Sequence, residues 1–161
     1  MWSSLIITGN DEGEVARLRG ELSIRFEMKD LGELSHFLGL EVEGLKDEYF
    51  VSQTGYADKL IENFGVKEGK DCSIPLDANF KLRRDDGKVL PDPRKFRALV
   101  GSLIYLTITR PDIAFVVSLV SRFMQAPTKS HLDAAKGILK YVNSTLDLGL
   151  LYTKGSEFVL H

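Results

Sequence analysis

At 161 residues and 18.0 kDa, with 43% hydrophobic and 27% charged residues, the chain can bury a core without metal or disulfide staples, and its composition excludes disorder for the chain as a whole. A net charge of −2 and a pI near 5.9 exclude nucleic-acid binding driven by bulk charge and leave only local basic clusters to provide it. The single cysteine, Cys72, excludes an intramolecular disulfide and a cysteine metal cluster, and no run approaches the roughly 18 apolar residues of a membrane span. Met1-Trp2-Ser3-Ser4 is no secretory n-region, so a soluble intracellular protein is expected, in cytoplasm or nucleus.

Leu5-Ile6-Ile7-Thr8, closed by Gly9-Asn10, predicts a buried strand and a turn. Asn10 or Asp11 then caps a helix whose stripe is Val15, Leu18, Leu22 and Phe26, with Glu12 and Glu14 at its positive end. After Lys29-Asp30-Leu31-Gly32 the period changes to two. Leu38, Leu40 and Val42 fall on one face of a strand and Phe37 and Glu41 on the other; a turn through Lys46-Asp47-Glu48 leads to a partner strand from Tyr49 to Gln53. Thr54 is expected to cap a short helix with Ala57, Leu60, Ile61 and Phe64 on one face and Gly65 at its end.

Residues 66–94, with Gly69, Pro75, Gly87, Pro91 and Pro93 among many charges, carry no sustained period and predict a long connecting arm. The stretch from Phe96 to Met124 is the most apolar part of the chain. Phe96, Leu99, Val100, Leu103, Ile104 and Leu106 stripe a first helix; Thr109 is a candidate N-cap and Pro111 a first-turn residue of a second, Ile113 to Met124. That second helix is apolar on more than one face, so it must be buried centrally or meet a partner. Ala126-Pro127 breaks the chain before a third helix, boxed by Ser130 with Asp133 and striped by Leu132, Ala135, Ile138, Leu139 and Val142. Leu148 to Tyr152 and Phe158 to Leu160, joined by Lys154-Gly155, predict two short strands. The pattern is α+β: a small antiparallel hairpin region with helices over 1–65, an extended arm over 66–94, and a three-helix bundle over 95–161 that ends in a short β-hairpin.

Residue chemistry alone gives no catalytic set. Asp85 and Asp86 are neighbours in an extended segment, where side chains diverge, and Asp86-Gly87 is a turn pair rather than half of a two-metal site. His36, His131 and His161 have no second ligand at metal spacing. Ser3 and Ser4 lack a partner, no Gly-x-Ser-x-Gly elbow or Gly-rich phosphate loop occurs, and Cys72 lies in a polar arm beside Lys70 and Asp71. Arg83-Arg84 and Arg94-Lys95-Arg97 could meet phosphates, although solvated arm residues explain them as well. No cofactor or metal is expected.

The order of segments nonetheless resembles one family. Leu5-Ile6-Ile7-Thr8-Gly9, Phe26-Glu27-Met28-Lys29-Asp30-Leu31-Gly32, Phe37-Leu38-Gly39-Leu40-Glu41, Tyr105-Leu106-Thr107 with Arg110-Pro111-Asp112-Ile113, Phe123-Met124 with Pro127, and Gly149-Leu150-Leu151-Tyr152 resemble, collinearly from Leu5 to His161, the polymerase region of copia-type retrotransposon polyproteins. The resemblance implies a last palm strand, a palm helix, a primer-grip hairpin around Phe37 to Gln53, and a helical thumb and connection. In that family a Tyr-x-Asp-Asp turn precedes the palm strand and holds the metals. Here Met1, Trp2, Ser3 and Ser4 stand there, and the ribonuclease H strand would begin after His161.

Three expectations follow. The first is a catalytically inactive, transposon-derived protein that self-associates or binds a protein partner, through Phe115, Val116, Leu119, Val120 and Phe123, without membrane contact. The second is weak residual primer–template binding through Phe37, Leu38, Gly39 and Leu40, with Arg83, Arg84, Arg94, Lys95 and Arg97 on phosphates. The third is a relic or an excerpt of a longer RNA-directed DNA polymerase.

Overall fold

The computed structural model describes residues 5–27, 32, 34–66, 72–76, 82–84 and 87–153. The expectations for Ser3, Ser4, Asp85, Asp86, His161 and the strand Phe158 to Leu160 lie outside them. The chain forms two compact units, Met1–Ser35 and His36–His161.

In the first unit, Asp11 caps α1 (Glu12–Arg25) as expected: its Oδ1 accepts from the N–H groups of Gly13 at 2.9 Å and Glu14 at 3.1 Å, two of the donors orphaned at a helix start. No residue of α1 is buried, and Phe26 at the end of its stripe is 60% exposed. The strand expected over Leu5 to Thr8 does not form, because a β-prone run without a partner edge has no ladder to join.

The second unit holds a sheet of β1 (His36–Phe37), β2 (Leu40–Leu45), β3 (Glu48–Ser52) and β4 (Leu150–Thr153), antiparallel throughout in the order β1-β2-β3-β4. The single strand expected through Leu38 to Val42 is corrected. Phe37 pairs with Leu40, so Leu38 and Gly39 are a two-residue turn with φ of +49° and +80°, the left-handed pair that a type I′ hairpin requires. The β2–β3 turn falls at Lys46-Asp47, between paired Leu45 and Glu48, with Asp47 at φ +65°. The strand near Leu148 is real, but its partner among the described residues is β3, with Leu150 opposite Val51 and Thr153 opposite Glu48.

The helices are α2 (Thr54–Phe64), α3 (Arg94–Leu106), a 3₁₀ turn (Pro111–Ile113), α4 (Ala114–Ser121) and α5 (Lys129–Asn143). Three capping expectations shift. Gln53 is the N-cap of α2, and the Thr54 hydroxyl instead donates to the Leu146 carbonyl at 3.2 Å. Thr109 is buried, with its hydroxyl donating to Gln53 Oε1 at 2.9 Å. Thr128, not Ser130, caps α5, and the third-position partner is His131 rather than Asp133. Gly65 ends α2 at φ +63°, as its position predicts.

One core joins four helices. Phe96, Leu99, Val100, Leu103 and Leu106 of α3 meet Val116, Val117 and Val120 of α4, Ile138, Leu139 and Val142 of α5, and Leu60 and Ile61 of α2. Each large aliphatic or aromatic side chain so buried contributes about 1.5–3 kcal/mol. Helix α4 thus buries Val116, Val117 and Val120 and leaves Phe115 on an exposed face. The arm ends against the α4–α5 connection, where Val89 bridges to Thr128 and the Leu90 N–H donates to the Pro127 carbonyl at 2.7 Å. Among the described residues no helix is long and apolar enough to cross a membrane.

Candidate nucleic-acid interface

The Leu38-Gly39 turn stands where three elements converge. The Tyr105 hydroxyl of α3 donates to the Leu38 carbonyl, and the Tyr105 ring meets Tyr56 of α2 edge-on, centroids 5.0 Å apart at 76°. Gly39 is favoured by its φ of +80°, and Tyr105 Oη lies on the side where a Cβ would stand, at 3.4 Å, an ordinary contact. A second tether comes from Glu41, whose Oε1 accepts from the Gly55 N–H at 2.8 Å; a carboxylate from β2 thus occupies the positive end of α2, where Gln53 supplies no side-chain cap. Hairpin and helix flank an open cleft of about 410 Å³, with His36, Phe37, Leu38, Gly39 and Glu41 on one side and Gly55, Tyr56 and Lys59 on the other. Leu38 is 76% exposed, whereas Phe37 and Leu40 are half-buried.

The five basic candidates lie on the arm and on α3, apart from that turn in sequence, and they are unequal. Arg94 forks onto Asp92, Nε to Oδ1 at 2.9 Å and Nη2 to Oδ2 at 2.8 Å, and the same fork holds the Asp92 carboxyl down at about 2. Its charge is thereby matched. Arg97 donates to the backbone carbonyls of Met124 at 2.8 Å and Gln125 at 3.4 Å, which fixes the guanidinium without neutralising it. Arg84 and Lys95 are exposed, and so is Arg83, whose carbonyl accepts from His131 Nε2 at 3.0 Å. Since that carbonyl can only accept, Nε2 carries the proton and Nδ1 accepts from the Thr128 N–H at 3.0 Å. His131 is fully buried and stacks on Phe123 at 3.8 Å, a structural assignment for a residue whose spacing suggested nothing.

Of the five residues expected at a protein interface, Val116 and Val120 of α4 are in the core, Leu119 of α4 is half-buried, Phe123 beyond its end lies against His131, and Phe115 alone is strongly exposed, at 73%. The structure does not bring the five onto one open face.

The most elaborate polar network was visible in sequence only as part of a family motif. Arg110 forks onto Asp112, Nε to Oδ1 at 2.9 Å and Nη2 to Oδ2 at 2.8 Å, and also donates to the carbonyl and hydroxyl of Thr145 at 2.8 and 2.7 Å. The Arg110 hydrogen bond holds the Asp112 carboxyl below the usual carboxylate value, while burial, then the neighbouring Asp112, pushes the Tyr141 phenol up. The local signal is a carboxylate two residues after an arginine at a helix start; Tyr141 on α5 and Thr145 just beyond its end carry no such signal.

Among the described residues no group of three or more His, Cys, Asp or Glu is arranged to hold a metal ion, so these residues do not fit the two-metal centre of a polymerase.

Residues 2–78 match the family described as reverse transcriptase (RNA-dependent DNA polymerase). Over 157 residues, 98% of this chain, the sequence is 38% identical to the retrovirus-related Pol polyprotein from transposon RE1 of Arabidopsis thaliana, of which it covers 11%. The chain belongs to the copia-type reverse-transcriptase family. A further relative, the Pol polyprotein from transposon TNT 1-94 of Nicotiana tabacum, is 38% identical over 152 residues, 88% of this chain and 11% of that protein. An uncharacterized mitochondrial protein of Arabidopsis thaliana is 38% identical over 153 residues, 95% of this chain and 63% of that protein. The chain thus spans 63% of the length of one relative and a ninth of the polyproteins. No solved structure matches.

Membership of the reverse-transcriptase family corrects the expectation of a non-enzyme. Two of these relatives are Pol polyproteins, the matched family is one of polymerases, and a Tyr-x-Asp-Asp pair missing from a stretch that covers 11% of such a polyprotein is no sign of lost activity.

Proposed function

We propose that this reverse-transcriptase chain serves RNA-directed DNA synthesis by holding the primer–template duplex, with the β1–β2 hairpin as a primer grip and the α3–α5 helices as the adjoining thumb. The observation that carries this reading is the presentation of the turn. Leu38 projects from it and Gly39 is exposed beside it, so a sugar–phosphate chain can reach the solvent side of the turn. Lys59 lines the same cleft, and Arg97 on α3 donates to backbone carbonyls and has no carboxylate partner among the described residues. With a net charge of −2 for the whole chain, such cations act locally and cannot bind a duplex by bulk attraction. Association through α4 has weaker support, because Val116 and Val120 are already packed inside the chain.

A salt series on the 161-residue chain with a 3′-recessed DNA primer–template tests the reading. Two to four phosphate contacts give a slope of log affinity against log salt of about −2 to −4. Leu38→Asp, which sets a negative charge at the turn, is expected to weaken binding about tenfold. Absence of binding at low salt, or binding indifferent to both salt and Leu38→Asp, overturns it.

A further inference from the structure

We infer that Tyr105 is a positioning residue: its hydroxyl fixes the Leu38-Gly39 turn and so sets the angle at which the hairpin meets the duplex backbone. The inference rests on the primer-grip reading for its consequence, though not for its geometry. A two-residue turn with both φ positive is normally built from Asn-Gly or Asp-Gly, because a Cβ is crowded in the left-handed region. Here a leucine holds the first position at φ +49°, with its side chain turned to solvent. Strain of this kind persists only where the surroundings over-determine the conformation.

The over-determination is visible. The Leu38 carbonyl lies in the loop peptide, outside the ladder pairing of Phe37 with Leu40, and Tyr105 supplies its donor. Tyr105 is itself aimed by the edge contact with Tyr56, and it stands on α3, whose other face is core. The Glu41 bond to the Gly55 N–H holds the following strand. The turn is therefore pinned to the α3 helix at its tip and to α2 behind it. Movement of α3 relative to the sheet would be felt first at Leu38.

Tyr105→Phe removes one hydroxyl and keeps the ring, its contact with Tyr56 and the core. Two readouts separate positioning from mere stability. The amide shifts and the HN–Hα couplings of Leu38 and Gly39 should move toward an averaged turn, while the urea midpoint stays within error of wild type. Affinity for the 3′-recessed DNA duplex should fall about five- to tenfold with the salt slope unchanged, because no phosphate contact is lost. A turn whose couplings are unaltered overturns the inference. So does an unaltered affinity in a wild-type chain that binds. If the wild-type chain binds no duplex, the primer-grip reading has failed, and the couplings alone decide whether Tyr105 holds the turn.

Discussion

Arg110 is a charge almost entirely removed from water, its side chain 4% exposed, and the removal is offset only because four of its N–H groups find acceptors on Asp112 and Thr145. Arg110→Ala leaves Asp112 without its fork and takes one of two donors from the Thr145 carbonyl, which keeps the Leu148 N–H at 3.2 Å. The expected loss is about 2–4 kcal/mol in urea unfolding, moderated by the 34% exposure of Asp112. Arg110→Lys should recover little, since a point charge cannot bridge both partners. The pH dependence has a definite sign. Asp112 titrates below its ordinary 3.8 in the folded chain, so its contribution is complete above that value and disappears as pH falls through the depressed one. Tyr141 titrates above 10, so its contribution is complete below 10 and is lost as pH rises past the raised value. The gap between wild type and Arg110→Ala should therefore narrow below about pH 4. At this scale the sequence is least transparent. His131 stands in the first helical turn, as its position predicts, but its capping role is hidden because a capping box is Ser or Thr with Glu or Gln three residues on, whereas here Thr128 is answered by an imidazole nitrogen.

Elements were legible wherever their signal is local. The stripes of α2, α3 and α5, the Gly65 stop and the Asp11 cap all follow from residues within one or two turns of each other. Strand pairing is not local, and two of its features are hidden from the sequence. Leu38, Leu40 and Val42 fall on one face at period two, so the only mark of the reversal is Gly39, and the leucine before it is not the Asn or Asp that such a turn normally carries. The apolar run near Leu148 announces a strand and says nothing of β3 as its neighbour. Gly149 records that neighbour sterically: a Cβ would fall 2.6 Å from the Val51 carbonyl oxygen and 2.7 Å from the Phe50 ring. The backbone oxygen cannot yield unless β3 or β4 moves. Gly149→Ala should thus cost about 1–3 kcal/mol and strip hydrogen-exchange protection from Leu150–Thr153 while the helical core keeps its own. Gly137, inside α5 with nothing within 4 Å of an added Cβ, is the control, and Gly137→Ala should stabilise by about 0.5–1 kcal/mol.

Across the whole molecule the α+β class follows from the alternation of periods, but the sharing of a single core by α2 and α3–α5 does not, because the arm between them hides which faces meet. The two units differ sharply in what holds their helices. Helices α2 to α5 each bury residues, whereas α1 buries none, and its stability must come from local terms. Those terms nearly cancel. The Asp11 cap contributes about 1 kcal/mol and the exposed Glu14–Arg17 pair at 3.2 Å a few tenths, while Gly13 and Gly20 cost about 1 kcal/mol each relative to alanine. A 14-residue helix is at the margin of independent stability even in an alanine-rich sequence. Amides in the middle of α1 should accordingly exchange at least a hundredfold faster than those of Leu103 or Leu139 under native conditions, with rates insensitive to Arg110→Ala. Helix α1 protection equal to that of α3 would mean that its apolar side is covered after all, and Val15, Leu18, Leu22 and Phe26 are the side chains whose burial would have to be sought.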